Sequence, residues 1–516
     1  MRRSSENLIQ SKIKSLAEIG EVLTSLKQQG TKIVQCHGVF DLLHLGHIRH
    51  FREAKSLGDC LVVSITPDQF VNKGPGRPVF TEALRLEAVA ALQDVDYVVL
   101  NDSPDAISAI MKIQPSLYVK GKEYAKHNED VTGKITEEIH AVETCGGTVH
   151  YTDDIVFSSS SLLNQYFDTM PPQVIEFIAQ LKKIYSIEQI IQKINALSRL
   201  KVLVVGDAIV DVYQYVDPLG VTGKGLHMVA RCKDKEVFLG GSLIIANHIA
   251  QFAGEVTLLT AVGANCPYGN FIEQTLDAKV KKNFTYLEDA KSLIKKRYVI
   301  EDGKSLTKLF ETYEGQEEPP SHEQMSQIIS FLQKESSNYD LILVCDFGNG
   351  FTNHRLTEAL SEVPTFLALN TQTNSGNRGF NMVTKYSRAD YISLNEPELR
   401  FAAHDKTSSI EGIATDICQI MHCSVLSVTQ GVKGVSCFHS HGSCSHVPAL
   451  ATHSVDRIGA GDSYLSLSSL CLAAGESPLF AAFIGSIAAA MSIQVVGNQE
   501  SVKKSALCKF ITRLMK

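Results

Sequence analysis

Short apolar runs recur along this chain with helical stretches between them, and they fall into two separate series. In the first, Lys32–Cys36, Cys60–Ile65, Tyr97–Leu100, Leu117–Val119 and Thr148–Tyr151 read as strands. The second opens at Lys201–Val205, ahead of Gly206 and Asp207, and continues through Val256–Thr260, Leu341–Cys345, Thr365–Leu369, Tyr391–Leu394 and Ser424–Thr429. Strands of a parallel sheet are covered on both faces and so read as near-continuous apolar runs, and each parallel neighbour requires a crossover helix. The alternation therefore predicts the α/β class, as two tandem domains each built on a parallel sheet.

At 516 residues the chain is too long for one ordinary core, which agrees with that division. Residues 1–30 read as a helical lead-in, with Ile9, Ile13, Leu16, Ile19, Leu23 and Leu26 at helical spacings. The first domain is expected over 31–166 and a helical linker, opening on Met170-Pro171-Pro172, over 167–198. The second domain takes 199–516.

Composition narrows the partners. A net charge of −7 argues against a broad nucleic-acid footprint. Twelve scattered cysteines with no C-x-x-C pair read against a disulfide framework or zinc ribbon and suit a reducing cytoplasm. Met-Arg-Arg is followed by Ser-Ser-Glu-Asn rather than an apolar run, unlike a secretion signal. Leu479–Val496 is mostly apolar, but Ser486, Ser492 and Gln494 interrupt it and alanine dominates, so a buried helix is expected and no membrane span.

Chemistry concentrates behind the first strand. Gly38-Val39-Phe40-Asp41 is followed by His44-Leu45-Gly46-His47, where a strand hands over to a helix N-terminus. Free N–H groups and the helix dipole favour phosphate there, and two histidines on one turn could donate to oxygens that gain charge in a displacement. Lys73 and Arg77, on a glycine loop, and Lys120, straight after a strand, offer cations. Ser158, Ser159 and Ser160 read as hydroxyl and N–H donors opening a helix.

The second series carries its own set. Gly240 and Gly241 precede an apolar helix holding Asn247 and permit close approach to a small polar ligand, while Asp207 and Asp211 flank the end of a strand, placed to accept hydrogen bonds from sugar hydroxyls. Near the C-terminus, Asp456-Arg457-Ile458-Gly459-Ala460-Gly461-Asp462 joins an anion nest to a carboxylate able to take a proton from an attacking hydroxyl.

With Gly76-Arg77-Pro78-Val79, Val119-Lys120-Gly121 and the Ser158–Ser161 run, residues 30–166 resemble the cytidylyltransferase-like nucleotidyltransferases, nearest to the heptose-1-phosphate adenylyltransferase type. The resemblance implies a Rossmann-like domain moving NMP from an NTP to a phosphate, with His44 and His47 on the triphosphate and Gly38 and Phe40 at the nucleotide. Asp153–Ser158 stands where the glycerol-phosphate and choline-phosphate branches carry Arg-Thr-x-Gly-Ile-Ser-Thr, so ATP and CTP both stay open as donors.

Gly240-Gly241, Asn395-Glu396-Pro397-Glu398, Thr429–Gly434 and Gly459–Asp462, in that order, resemble the ribokinase-like carbohydrate kinases over about 199–510. That resemblance implies Asp462 as catalytic base, Gly459 and Gly461 as anion hole, and Gly431 near ATP. Asn395 and Glu398 would serve the Mg2+–phosphate region, and Asp456 would lie where a monovalent cation such as K+ often binds. Family members often dimerise. Here Asn370–Asn374 replaces a D-P-K segment, and Arg457-Ile458 replaces small residues.

Joined, the halves resemble bifunctional heptose-phosphate kinase/adenylyltransferases in reversed order, implying a cytoplasmic sugar-activating enzyme acting on sugar phosphates and nucleoside triphosphates. Two other readings remain: a glycerol-phosphate-type cytidylyltransferase with a polyol kinase, or a sugar- and nucleotide-sensing protein without turnover. Cys437, His439, His441, Cys444, His446 and His453 crowd one segment, but a hairpin around Gly442 would send alternate residues to opposite faces.

Overall fold

A computed structural model describes residues 9–71, 78–121, 134–152, 170–223, 225, 227–288, 292–302, 305–315, 319–440, 442–451 and 454–515. The chain divides into two compact units, one of Met1–Ile178 with Ser505–Lys516 and one of Ala179–Lys504. The C-terminal segment expected to finish the second domain thus groups with the first unit.

The first unit is built on six parallel strands: β1 (Ile13–Lys14), β2 (Ile33–Gly38), β3 (Cys60–Ile65), β4 (Tyr97–Leu100), β5 (Leu117–Gly121) and β6 (Thr148–Thr152). They lie in the order β1-β4-β3-β2-β5-β6. The chain works outward from β2 to β4, then returns to β5 on the other side. That reversal leaves a crevice at the carboxyl ends of β2 and β5, where open α/β sheets hold ligands. Val34 and Cys36 on β2 pack with Phe51 of helix α1 (Leu45–Ser56) and with Leu61 and Val63 of β3.

The lead-in differs from the helix expected of it. Ile13 and Lys14 pair with Val98 and Val99 at the sheet edge, and the helix Leu16–Gln28 starts behind them from a Ser15–Glu18 capping box. Two residues are too few to show a period-two pattern, and Ile9, Ile13 and Leu16 happen to fit the helical one.

The second unit contains a nine-stranded sheet and a four-stranded one. The large sheet runs β11-β10-β7-β14-β15-β16-β17-β18-β19 and is parallel up to β17. Its members are β7 (Lys201–Gly206), β10 (Glu255–Gly263), β11 (Val280–Leu287), β14 (Leu341–Asp346), β15 (Phe366–Thr371), β16 (Tyr391–Asn395), β17 (Val425–Thr429), β18 (Val435–His439) and β19 (Cys444–Val447). Ile342, Leu367, Ile392 and Leu426 carry its core. The small sheet is β13-β12-β8-β9, from β8 (Ala208–Val221), β9 (Met228–Gly241), β12 (Leu293–Asp302) and β13 (Ser305–Glu314). These strands mix polar and apolar residues, so a search for apolar runs passes over them.

Strands β18 and β19 form the hairpin expected around Gly442, with Ser436 opposite His446 and Cys437 opposite Ser445. Cys437 is buried on Ser427 and Tyr464, whereas His446 meets Ser436 on the exposed side at 3.2 Å. His441 and His453 lie outside the described residues. The apolar stretch near the C-terminus folds as the helix Pro478–Ser492, buried along most of its length. No helix among the described residues is long and apolar enough to cross a membrane.

Candidate active sites

In the first unit the turn after β2 is shaped by an absent side chain. A Cβ on Gly38 would lie 3.0 Å from the ring of Phe40, whose backbone is left-handed at φ 49°. The Phe40 ring is buried edge-on to His47 at 5.3 Å and tilted against Phe51 at 4.9 Å. The Phe40 side chain therefore supports His47.

His44 is the N-cap of α1, its Nδ1 accepting the Gly46 N–H at 3.1 Å, which assigns the proton of a neutral ring to Nε2. The rings of His44 and His47 stack 4.0 Å apart at 24°. Two half-buried imidazoles thus stand together at a helix N-terminus on the carboxyl side of β2. The neighbouring His37 bonds Ser64 at 3.0 Å and His50 bonds Thr152 at 3.0 Å, and burial pushes both down to about 4, so they stay neutral.

Lys120, expected on phosphate, is buried in an ion pair with Glu138 at 2.7 Å, and the Tyr118 hydroxyl donates to the same carboxylate oxygen at 3.1 Å. Burial alone would raise the Glu138 carboxyl; Lys120 beside it holds it below the usual range. Lys73, Arg77, Ser158, Ser159 and Ser160 lie outside the described residues. Sequence reading missed Arg85, which is 1% exposed. Its guanidinium donates to Val39 O at 2.6 Å, Thr66 O at 2.9 Å and Asp68 at 2.6 Å, tying the loops after β2 and β3 together. Asp41 completes the fastening by accepting from the Val79 and Phe80 N–H groups at 2.7 and 3.0 Å.

In the second unit Asp462 sits in the first turn of α4 (Ala460–Ala473), numbered after α2 (Ser242–Ala250) and α3 (Glu396–Ala403). The helix starts from Gly459 at φ 82°, and a Cβ on Gly461 would meet nothing within 4 Å. The Asp462 carboxyl is half-buried, and none of the described residues donates a hydrogen bond to it. Burial and then the nearby Asp211 push it up to about 7, against the pull of Lys295 and Arg297. An acid at that value is divided between its two forms at neutral pH, as a proton acceptor should be.

Asp211 lies on β8 beside Lys295 of β12, is ion-paired to Arg297, and packs against Gly240, where a Cβ would lie 2.6 Å from its Oδ2. Asp462, Asp211, Lys295 and Arg297 thus form one charged cluster. Burial lowers Lys295. Lys295 and Arg297 escaped the sequence reading, although their period-two spacing on a strand is a signal that both face one side.

Three expected ligands have other duties. Asp207 accepts from the backbone N–H groups of Phe347 at 2.8 Å, Asn349 at 3.5 Å and Phe351 at 3.4 Å, so it holds the turn after β14. Asn247 donates to Thr275 O at 3.0 Å and accepts from Asp277 N–H at 2.8 Å, pinning α2 to the turn ahead of β11. Both act here as supports, because buried polar groups bond the backbone that the fold brings to them. Asp456, expected beside a monovalent cation, accepts from Tyr213 at 2.5 Å and pairs with Lys308 at 2.7 Å. Gly241 caps α2 at φ 57°.

Asn395 and Glu398 make a capping box on α3, with Asn395 Oδ1 accepting from Glu398 N–H at 2.8 Å and Glu398 Oε2 from Asn395 N–H at 2.9 Å. Glu398 Oε1 accepts from Thr373 N–H at 3.2 Å, and burial raises this acid to about 7. Asn395, Thr429, Gln430 and Gly431, at the carboxyl ends of β16 and β17, line a cavity of about 780 Å³ together with Arg400 of α3. Gly431 has φ 58° with open space where a Cβ would stand.

The family model described as pfkB family carbohydrate kinase matches residues 199–505. The chain belongs to the pfkB family. The cytidylyltransferase-like model matches residues 36–166. Over its N-terminal part the chain is 40% identical across 141 residues to the bifunctional protein HldE of Geobacter metallireducens, covering 27% of each chain. The bifunctional protein HldE of Geotalea uraniireducens is 38% identical over 141 residues, again 27% of each. The match spans about 27% of the length of these relatives. In fold, the chain is similar to Escherichia coli phosphofructokinase-2 solved in complex with substrates and products. That likeness has 14% identity and a TM-score of 0.50, covering 61% of this chain and all of the other.

Proposed function

We propose that the chain is a bifunctional sugar-activating enzyme in which the pfkB unit phosphorylates a hydroxyl of a sugar or sugar phosphate with ATP. The observation that carries this reading is Asp462, raised to about 7 in the first turn of α4 beside Asp211, Lys295 and Arg297. The acceptor hydroxyl gives its proton to the Asp462 carboxylate as its oxygen bonds the γ-phosphorus and the bond to ADP breaks. The backbone of Gly459–Gly461, open at Gly461, meets the charge on the transferring group. The cavity at Asn395 and Gly431 suits the nucleotide.

Each Glu398 oxygen accepts one backbone N–H and keeps a further lone pair, which fits a hydrated Mg2+ held through water by Glu398 and Asn395. When bound, that ion neutralises charge on the phosphates.

The first unit, in this reading, transfers a nucleotidyl group from ATP or CTP to a sugar phosphate and releases pyrophosphate. The stacked His44 and His47 at the α1 N-terminus support it, as donors to a triphosphate. A heptose-like sugar is favoured by the resemblance of residues 30–166 to the heptose-1-phosphate adenylyltransferase type. All twelve cysteines being free thiols supports a reducing cytoplasm.

Product mass spectrometry after incubation with Mg2+, ATP, CTP and a pool of heptose and hexose phosphates tests both halves. A doubly processed nucleotide-sugar supports the proposal; binding without any product favours a sensor instead.

A further inference from the structure

The Asp456 carboxylate is 1% exposed, and both of its oxygens are occupied. Oδ1 takes the Lys308 ammonium at 2.7 Å and the Ile458 N–H at 3.2 Å. Oδ2 takes the Tyr213 hydroxyl at 2.5 Å and the Gly497 N–H at 3.1 Å. Four donors match the roughly four lone-pair sites a carboxylate offers. A K+ ion, which must be ringed by oxygens, finds no lone pair left on Asp456, whose place beside a cation is already taken by the Lys308 ammonium. The residues present therefore do not fit the monovalent ion expected from the sequence.

We propose that Lys308 is the built-in cation of this site and makes the pfkB unit independent of K+. The proposal rests on the kinase reading above. Asp456 grips the backbone at Ile458, one residue before the Gly459–Gly461 turn, so the charge that steadies Asp456 also orders the anion-binding backbone ahead of Asp462. An exchangeable ion would do this only in proportion to its occupancy. An ammonium tethered to β13 does it at any salt composition, provided that strand is in place. Lys308 is in this sense a positioning residue. Its partner across the site is Asp456, which also accepts from Tyr213 of β8, with Arg297 lying against the Tyr213 ring at 5.8 Å.

The test compares the full wild-type chain with Lys308→Ala in KCl, NaCl, NH4Cl and tetramethylammonium chloride at equal ionic strength. Lys308→Met, which keeps much of the aliphatic stem, replaces Lys308→Ala if that variant does not fold. Sugar phosphorylation by the wild type should be the same in all four salts. The variant should fall about tenfold or more in tetramethylammonium, equivalent to ~1.4 kcal/mol of lost transition-state stabilisation, and recover in K+ or NH4+. Unfolding temperature provides a second readout: K+ should stabilise the variant relative to tetramethylammonium and leave the wild type unmoved. A wild type activated by K+, or a folded variant that no monovalent cation restores or stabilises, overturns the proposal. If the wild type phosphorylates no sugar in any salt, the kinase reading fails, and the unfolding temperatures still decide whether Lys308 stands in for the ion.

Discussion

Any Cβ placed on Gly459 would lie 2.0 Å from Oδ1 of Asn498. Asn498 is itself fixed, donating to Leu239 O at 3.0 Å, so it has little freedom to withdraw. The left-handed backbone at φ 82° adds about 1–2 kcal/mol for a residue with a side chain. Gly459→Ala should therefore lower the unfolding transition of the pfkB unit and depress phosphoryl transfer. Pyrophosphate release by the other unit should be unaffected. Parallel assays of both activities, with calorimetry, check this.

Asp462→Asn should reduce sugar phosphorylation by about 10²–10⁴-fold, the usual contribution of a positioned base. Nucleotidyl transfer should persist. In the wild type the base works only when deprotonated. With its acid raised to about 7, kcat/KM for phosphorylation should fall about tenfold per unit as pH drops below 7 and level off above it. A flat profile from pH 5 to 8 would exclude Asp462 as the titrating group.

His47→Ala removes one of the two stacked imidazoles at the N-terminus of α1 and the edge partner of Phe40. Loss of one donor to developing charge typically costs about 10²–10³-fold in rate. Pyrophosphate release should fall by that order while sugar phosphorylation continues unchanged. Equal loss of both activities would show that the variant has disturbed more than its own site.

His248 is 1% exposed, accepts the Val502 N–H at 3.0 Å, and is pushed by burial down to about 3. A histidine depressed in the folded state binds its proton only after unfolding, so its contribution to stability is full above about 6.5. Between about 6.5 and 3 it is lost at ~1.4 kcal/mol per pH unit. Replacing it by a residue that does not titrate, as in His248→Gln, should cost stability at pH 7 and narrow that deficit as pH falls to 5. Urea unfolding of both proteins across that range measures the difference. Asp207 and Glu398, both raised to about 7, act with the opposite sign and are common to both proteins, so they cancel from the comparison.

Most of the large sheet of the second unit was legible because its parallel strands are apolar on both faces, as at Leu341–Asp346, where every residue is buried. The small sheet was not. The first eight residues of β9 are exposed, and β12 carries Lys295, Lys296 and Arg297 in succession. Asp462 could be found because glycines around an acid before a helix leave a local trace. Arg85 could not, since its value comes from carbonyls at positions 39 and 66 that only the fold brings to it.

Local pattern alone determined the two α/β series, the glycine turns that open α1 and α4, and which acid follows the second of them, because strand burial, helix starts and positive φ each depend on neighbours in the chain. Tertiary structure decided who partners the buried charges. Asp207 and Asn247 went to backbone, Lys120 to Glu138, and Asp456 to Lys308, 148 positions away. A charge removed from water must find its counterpart among whatever groups folding assembles around it, and spacing along the sequence does not contain that choice.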